Sequence, residues 1–438
     1  MRIAFTTLGC KLNQVETNIM REACRGSMME VVPFEAEADV YVINTCSVTG
    51  KTDRVARQLV RRAAGQNPEA AVVVTGCYAQ LQPEALADLP GVRLVLGNEE
   101  KHDLLHYLAT LEENGPGAHI AVGDIGRATE FRSAPLRSFT GYTKAFVKIQ
   151  TGCDYRCTFC SIWTARGPSR SEPPARVLEQ MAELVQSGVR EMAVTGVCIG
   201  SYGLDLSPPT NLAALVRMAE GVEGLERLRI TSIEPTELTD ELLETMATSP
   251  LVCRHLHVPL QNGSDRVLEA MNRNYRTDFY RGRIEAAAAL MPGAGIGADV
   301  MVGFPGETDE DFEETMALIE GLPMTYLHVF SYSPRRGTPA AERPDQVDPQ
   351  VKKERSKRLR SLGEAKRRAF MADQIGRTVP VLVETTRDRG SGLLKGWSDT
   401  YVKVHLDGPD AWMGRVVPVE VTAHADGHLE GVGVGQGA

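Results

Sequence analysis

Short apolar runs alternate with amphipathic runs along most of the 438-residue chain, and this alternation constrains the fold more than any other feature. Up to about residue 125, strand-like runs such as RIAFTTLGC and DVYVINTC each precede a helix-like run, for example VETNIMREAC. Strands that alternate with helices are typical of a parallel sheet covered by helices. We therefore predict an amino-terminal α/β domain with a parallel sheet over residues 1–125.

The alternation begins again near residue 141, after residues 112–140, whose Gly, Pro, Ser and scattered charges predict a linker. Six strand-like runs follow, among them AFVKIQTGC, EMAVTGV and GIGADVMVGFPG. Six β-α units predict a partial (β/α)6 barrel, which we place at residues 139–370, with its chemistry where strands end and loops begin. Residues 374–438 contain short β runs broken by Gly, Asp and Pro, which predict a small antiparallel β-barrel.

Charge is distributed unevenly along the chain. The formal net charge is −9, which argues against indiscriminate binding to nucleic acids. Within residues 351–370, however, nine Lys and Arg residues accompany only two Glu residues. A tRNA or rRNA could dock on this segment, or it could be a solvated helix face, and composition alone favours neither interpretation.

No apolar run approaches the roughly 20 residues that a membrane span needs. The amino-terminal stretch MRIAFTTLGCKLNQ is too short and too quickly polar for a secretory signal. We therefore expect a cytoplasmic protein without a membrane partner. Structural disulfides are rare in that compartment, so clustered members of the nine cysteines are better candidates for metal, cluster or catalytic roles.

One group of cysteines, Cys153, Cys157 and Cys160, forms a C-x3-C-x2-C run directly after a predicted strand. A zinc site needs four ligands, and this loop offers no His or further Cys. Packing of buried thiols explains one cysteine more easily than three. A [4Fe–4S] cluster bound through three of its irons explains the set, and its fourth iron stays open for a small molecule.

A second group closes three strand-like runs of the amino-terminal domain, with Cys10 in TTLGC, Cys46 in INTC and Cys77 in VTGC. Strand ends at one edge of a parallel sheet face the same crevice, so these thiols are expected to converge. A single cysteine there is more often a small buried hydrophobe. Three at equivalent places predict the ligands of a second cluster, again with an open iron. Packing is the better interpretation for the remaining cysteines, which are Cys24, Cys198 and Cys253.

With aromatic Phe159 just before its last cysteine, the barrel loop resembles the signature of radical S-adenosylmethionine (SAM) enzymes. The resemblance implies that the open iron binds the amino and carboxylate groups of SAM. It also implies that an electron from the cluster cleaves the sulfonium and yields a 5′-deoxyadenosyl radical, so the enzyme requires an electron donor. The protein positions and shields this cofactor chemistry.

The whole chain is similar to the methylthiotransferases, which join a three-cysteine domain, a radical SAM barrel and a small TRAM β-barrel. The matching stretches are GCKLNQVETN, INTCSVT, TGCYAQ, ARGPSR, HVPLQNGSDRVLEAMNRNY and VGFPGET. In that family, one SAM methylates sulfur on the auxiliary cluster and a second supplies the radical that replaces C–H by methylthio. The resemblance assigns sulfur donation to the amino-terminal cysteines and radical generation to the barrel cysteines.

The resemblance also suggests further SAM contacts, each with a simpler alternative. Phe159 would pack on adenine or belong to the core, and Gly303 and Gly306 would let the backbone approach the adenosine or serve a turn. The polar residues at strand ends would hold ribose or methionine, or be ordinary loop residues; they are Ser232, Glu234 and Gln261. Gly196 of TGVCIGSYG is also predicted to bind the cofactor, but this motif lacks the Glu of many radical SAM enzymes. The residue for the methionine amino group therefore stays open.

The motif LGCKLNQVET is most similar to the branch that acts on N6-threonylcarbamoyladenosine at position 37 of tRNA. The other branches act on N6-isopentenyladenosine-37 of tRNA or on a ribosomal-protein aspartate, and both stay as alternatives. A threonylcarbamoyl group carries a carboxylate, so Arg166 and Arg170, which follow the cluster loop, are candidates to bind it. Either could instead contact RNA phosphate or pair with a structural Glu. The basic segment and the β-barrel are then expected to bind tRNA.

Two non-enzymatic alternatives explain less of the sequence. An electron-transfer protein with two closed clusters requires eight cysteine ligands, whereas six cysteines cluster by position. An RNA-binding protein with structural iron leaves the barrel motif VGFPGE unexplained.

Overall fold

A parallel sheet, a partial barrel and a closed barrel follow one another along the chain, which confirms the predicted α/β fold class. The structure is a computed structural model that describes residues 1–27, 29–111, 115, 117–134 and 143–434. Among these residues, no helix is both long enough and apolar enough to cross a membrane.

The amino-terminal sheet consists of β1 (Arg2–Thr7), β2 (Glu30–Val32), β3 (Val40–Thr45), β4 (Ala71–Gly76), β5 (Val92–Leu96) and β6 (His119–Ala121). Its helices are α1 (Lys11–Gly26), α2 (Gly50–Gln66), α3 (Cys77–Leu81), α4 (Pro83–Ala87) and α5 (Leu104–Ala109). The strands lie in the order β2-β1-β3-β4-β5-β6, and all neighbours are parallel. Side chains of β3 alternate between two apolar cores, Tyr41 and Ile43 in one and Val40 and Val42 in the other. Burial on both faces explains why this run is apolar throughout.

One strand of this sheet lies within the stretch that the sequence assigned to a linker. β6 pairs in parallel with β5, and a 3-10 turn follows at Ile125–Arg127. The linker prediction is wrong for these residues, because three residues that pair with β5 extend the sheet. Residues 112–114, 116 and 135–140 of the predicted linker lie outside the described residues.

The central strands are β7 (Lys144–Lys148), β8 (Gln150–Thr151), β9 (Arg170–Ser171), β10 (Glu191–Thr195), β11 (Arg227–Ile230), β12 (His255–His257), β13 (Gly295–Val302) and β14 (Tyr326–Ser331). Two parallel sheets, β11-β10-β7 and β12-β13-β14, are joined by parallel bridges from Leu228 to Val252 and from Ser232 to His257. Six strands therefore form the predicted partial barrel, while β8 and β9 form a short antiparallel pair.

The helices of this region are α6 (Ile162–Arg166), α7 (Pro174–Gln186), α8 (Leu212–Ala219), α9 (Asp240–Thr248), α10 (Asp265–Ala270), α11 (Thr277–Leu290), α12 (Asp309–Gly321), α13 (Pro339–Glu342) and α14 (Pro349–Asp373). The basic segment forms most of α14, which Asp348 caps by accepting a hydrogen bond from the backbone of Gln350 at 2.7 Å. α14 lies along β14, where Arg360 Nη2 donates to the carbonyl oxygen of Val329 at 3.4 Å.

The carboxy-terminal barrel is closed by β15 (Thr378–Arg387), β16 (Leu394–Ser398), β17 (Lys403–Asp407), β18 (Val416–Ala425) and β19 (His428–Gly433). Its order is β15-β16-β17-β19-β18. The antiparallel prediction is wrong for one pair, because β17 and β19 run parallel to close the barrel. Arg229 joins this barrel to β11, since its guanidinium donates to the carbonyl oxygens of Ser398 and Asp399 at 3.1 and 3.0 Å.

Candidate active site

The amino-terminal cysteines follow neighbouring strands of one sheet edge. Cys10 precedes α1, Cys46 follows β3 and Cys77 opens α3. Gly9 has a φ of +96°, and a Cβ on it would lie 2.4 Å from the Cβ of Cys46. The loops that carry Cys10 and Cys46 therefore touch. Burial, with a smaller contribution from the nearby Cys77 and Cys10 thiols, raises the pKa of the Cys46 thiol to about 12. The three cysteines thus follow neighbouring strands at one sheet edge, and their role as ligands of one cluster stays a prediction.

A buried group of charges lies against these cysteines. The Glu16 carboxylate accepts hydrogen bonds from Arg166 Nη1 and Lys101 Nζ, each at 2.5 Å, and from Lys148 Nζ at 3.2 Å. Arg166 also places Nε 3.4 Å from the Sγ of Cys77. Three cations thus surround one carboxylate beside the thiols. This positive surplus, together with three soft sulfur donors, fits an anionic iron–sulfur cluster.

The barrel cysteines lie in the loop between β8 and α6. The loop is fixed by hydrogen bonds from the backbone N–H of Cys153 to the carbonyl of Gly167 at 3.0 Å and from that of Cys160 to the carbonyl of Cys157 at 3.1 Å. Burial raises the pKa of the Cys160 thiol to about 12. Three buried or half-buried thiols on one ordered loop have the donor chemistry that a cluster requires.

Arg273 connects this loop to a predicted cofactor residue. Its Nη1 donates to the Sγ of Cys157 at 3.2 Å, and its Nη2 pairs with the carboxylate of Glu234. The sequence alone did not identify Arg273 as a site residue, although it lies in the stretch HVPLQNGSDRVLEAMNRNY. A hydrogen bond to a cluster thiolate is one of the means by which proteins adjust a cluster's reduction potential.

A cavity of about 230 Å3 opens beside the barrel cysteines. Cys160, Phe159 and Gln261 line it together with Asp299 and Phe330. Gln261 has a φ of +65°, a strained value for a residue other than Gly, and such strain clusters at functional sites. Phe159 also packs against an apolar cluster of the core, which was its simpler alternative, and its contact with adenine stays a prediction.

The segments that carry the two cysteine groups touch at the interface of the first two domains. α6 begins directly after the barrel loop, and its last residue, Arg166, contacts Glu16 and Cys77 of the amino-terminal domain. Arg335, in the loop after β14, donates to Asp53 Oδ2 at 2.6 Å on the same side of the interface. The fold therefore brings residues that are more than 70 positions apart in sequence into one site.

Comparisons with known proteins agree with this architecture. Residues 147–319 match the Radical SAM superfamily, and residues 2–97 match the uncharacterized protein family UPF0004. The chain is 38% identical over 421 residues to the threonylcarbamoyladenosine tRNA methylthiotransferase MtaB of Bacillus subtilis (strain 168). The aligned residues cover 96% of this chain and 93% of that protein. The chain belongs to the radical SAM methylthiotransferase family. It is therefore an enzyme, and the superfamily implies SAM and a [4Fe–4S] cluster as cofactors.

Two further similarities bear on the branch and on the fold. A tRNA-2-methylthio-N(6)-dimethylallyladenosine synthase of Syntrophotalea carbinolica (strain DSM 2380 / NBRC 103641 / GraBd1) is 34% identical over 428 residues and covers 97% of this chain and 98% of that protein. The radical SAM methyltransferase TsrM of Kitasatospora setae, a structure with cobalamin and a [4Fe–4S] cluster bound, superposes with a TM-score of 0.60 at 16% identity, over 78% of this chain and 77% of that chain. The latter similarity concerns the fold alone.

The glycines that were predicted to approach SAM in this methylthiotransferase have other neighbours. A Cβ on Gly303 would lie 2.3 Å from Cγ of Lys352, and one on Gly306 would lie 2.5 Å from Oδ2 of Asp345. Both glycines have a positive φ, which supports the alternative that they serve a turn. Gly196 packs against the side chain of Gln150.

The two arginines proposed to bind a substrate carboxylate are already paired with carboxylates of the chain. Arg166 binds Glu16, and Arg170 Nη1 lies 2.8 Å from Glu99 Oε1. Both guanidinium groups are buried, so the structure supports the alternative of a structural Glu over substrate recognition for each of them.

Two residues near the barrel loop were not recognised from the sequence. Cys198, interpreted as packing, hydrogen-bonds with Cys153 and places its Sγ 3.3 Å from the carboxylate of Glu237. Burial raises the pKa of Glu237 to about 7. The loop TGVCIGSYG, which has no carboxylate of its own, thus receives one from Glu237. Ser232, two residues beyond β11, is exposed and forms a parallel bridge with His257.

Proposed function

We propose that this enzyme methylthiolates C2 of N6-threonylcarbamoyladenosine at position 37 of tRNA with two [4Fe–4S] clusters. One observation carries the proposal: Arg166, at the end of the helix that follows the barrel loop, reaches Cys77 of the amino-terminal group. The relative that is 38% identical is named for this substrate, and the relative that is 34% identical is named for a dimethylallyladenosine. The isopentenyl substrate therefore stays as the alternative.

Each cysteine group has a separate role in the proposal. Cys153, Cys157 and Cys160 would hold the cluster that cleaves SAM, and Cys10, Cys46 and Cys77 would hold the cluster that supplies sulfur. The bound groups supply an electron, a radical source and a methylated sulfur, chemistry that no protein side chain offers for an unreactive C–H bond. The chain positions and shields them: Arg273 fixes Cys157 and Glu234, and Arg166 fixes Cys77 against Glu16.

The substrate is tested by nucleoside analysis of tRNA from cells with and without the intact gene. We expect cells without the gene to accumulate N6-threonylcarbamoyladenosine and to lose its 2-methylthio derivative, and a plasmid copy should restore it. Loss of 2-methylthio-N6-isopentenyladenosine instead would select the alternative substrate. Unchanged tRNA beside an altered ribosomal aspartate would contradict both proposals.

RNA binding is proposed for α14 and for the carboxy-terminal barrel. Lys353, Lys357 and Arg360 are exposed at i, i+4 and i+7 of α14, and within the described residues none of them has a carboxylate partner. Arg358 on the same helix is instead paired with Glu313 at 2.6 Å. Unpaired cations on one helix face suit phosphate contacts, which give affinity with little sequence information.

Replacing Lys353, Lys357 and Arg360 together with Gln is expected to weaken tRNA binding and to lower the slope of log K against log salt by about two to three. Binding is measured with the reconstituted enzyme at several salt concentrations. Arg358→Gln is the matched control and should change the slope less, because its charge is already paired. An unaltered slope in the triple variant would leave α14 a solvated face. The barrel is tested at Lys403, the first residue of β17, and Arg415, the residue before β18: an unaltered slope in Lys403→Gln/Arg415→Gln would remove the barrel from the RNA interface.

A further inference from the structure

The strand β14 presents an exposed aromatic ring to the active-site cavity. Alternate residues of a strand lie on one face, which places Tyr326, His328 and Phe330 together. Tyr326 is buried, whereas Phe330 is 47% exposed and lines the cavity that also contains Cys160. Large apolar side chains on the barrel strands are otherwise mostly buried, so the Phe330 ring leaves apolar surface exposed at the cavity mouth.

A hydrogen-bonded group of polar side chains begins at Asp299 in the cavity lining and extends along β13 and β14. Asp299, paired in register with His328 on β14, lies with Oδ1 3.3 Å from Nδ1 of His328 and 3.1 Å from Nε2 of His257. The other ring nitrogen of His257 lies 3.1 Å from the hydroxyl of Tyr326. Asp299 lines the cavity together with Gln261. An aromatic face beside a rigid set of donors and acceptors is the combination that recognises a splayed-out nucleobase.

The surface next to this mouth carries positive charge. Arg360 of α14 donates to the carbonyl oxygen of Val329, the residue before Phe330, and Lys352 lies 5.2 Å from the ring centre of Tyr332 on the other side. A chain that entered the cavity past Phe330 would therefore have cations beside its backbone. This charge complementarity selects a polyanion with aromatic bases over an uncharged partner.

We infer that Phe330 is a stacking surface for the unpaired target purine of the RNA substrate, with Asp299 and His328 at the edge of the base. This inference rests on the proposed function and adds the residue that receives the base. A base in a stacked loop cannot reach the reacting groups, so an enzyme that acts on it must take it out of the stack and hold it elsewhere. Stacking on one aromatic side chain changes affinity by roughly 5- to 150-fold on alanine substitution.

The test compares two anticodon stem–loop RNAs, one with N6-threonylcarbamoyladenosine at position 37 and one with an abasic site there. Binding is measured with anaerobically reconstituted wild type, Phe330→Ala, Phe330→Leu and Phe330→Trp. We expect Phe330→Ala and Phe330→Leu to bind the adenosine RNA roughly 5- to 150-fold more weakly and the abasic RNA as the wild type does. Phe330→Trp should preserve the preference. Phe279→Ala is the matched control, since Phe279 is 43% exposed on α11 and lies outside the cavity lining.

The outcomes separate this inference from the proposed function. If Phe330→Leu, with unchanged iron content, preferred the adenosine RNA as strongly as the wild type does, the stacking role would be overturned. Methylthiolated product from the wild type would in that case still support the proposed function. Absence of product and of any preference in the wild type would instead contradict the function. Phe330→Leu keeps most of the apolar volume of the side chain. It therefore tests the stacking role even if Phe330→Ala loses an iron–sulfur cluster.

Discussion

Replacing Cys10, Cys46 and Cys77 with Ala is expected to abolish methylthiolation while reductive cleavage of SAM continues. The two activities should separate because the barrel loop that carries Cys160 keeps its own hydrogen bonds and ligands in this variant. With one cluster lost, iron is expected to fall from about eight to about four atoms per chain. Iron and sulfide analysis, EPR of the reduced protein, and chromatography of 5′-deoxyadenosine and of tRNA nucleosides measure the three quantities.

The contrast with two other replacements makes this prediction specific. Replacing Cys153, Cys157 and Cys160 should abolish SAM cleavage as well as product. Cys24→Ala should retain both clusters, because Cys24 is a residue of α1 whose side chain packs in an apolar core. An amino-terminal triple variant that kept its full iron content, or that still inserted sulfur, would contradict the assignment of a second cluster to these residues.

The placement of the amino-terminal cysteines at one sheet edge was predictable because it follows from local periodicity. A residue that closes a strand in a parallel sheet is placed by that strand, so Cys10, Cys46 and Cys77 come to one edge whatever their spacing. The same argument located Gln261 on the rim of the barrel. Patterns of this kind need only the strand and its direction, which the apolar runs indicate.

The partners of the charged residues were not predictable from such patterns. Arg166 binds Glu16 across 150 positions of sequence, and the contact depends on how two domains pack. A positive residue near a cluster loop suggested substrate recognition, but burial requires that its charge be compensated within the chain. Cys198 and Glu237 come from successive β-α units, and neither has a neighbour in sequence that indicates their contact. The parallel pair of β17 and β19 likewise depends on barrel closure, which single runs do not reveal.

Glu16→Gln is expected to destabilise the protein by about 3–5 kcal/mol, because it removes the carboxylate that compensates three buried cations. Burial alone would raise the pKa of Glu16, but Arg166, Lys101 and Lys148 outweigh burial and hold its pKa well below the ordinary value. The remaining amide can accept hydrogen bonds but carries no charge. Anaerobic urea unfolding of the wild type and the variant, with iron content measured in parallel, gives the difference.

The pH dependence of this difference provides an independent check. A carboxyl group whose pKa is depressed in the folded state stabilises it fully above the unfolded pKa of about 4.3, and that contribution is lost as the pH falls through the folded value. The wild type should therefore keep its advantage over Glu16→Gln at neutral pH and lose it progressively below about pH 4. Glu313→Gln is the matched control, since its surface pair with Arg358 is solvent-exposed and should leave the unfolding midpoint nearly unchanged. A Glu16→Gln midpoint equal to that of the wild type at pH 7 would mean that water or the remaining backbone already compensates these cations, and the buried group would then not hold the two domains together.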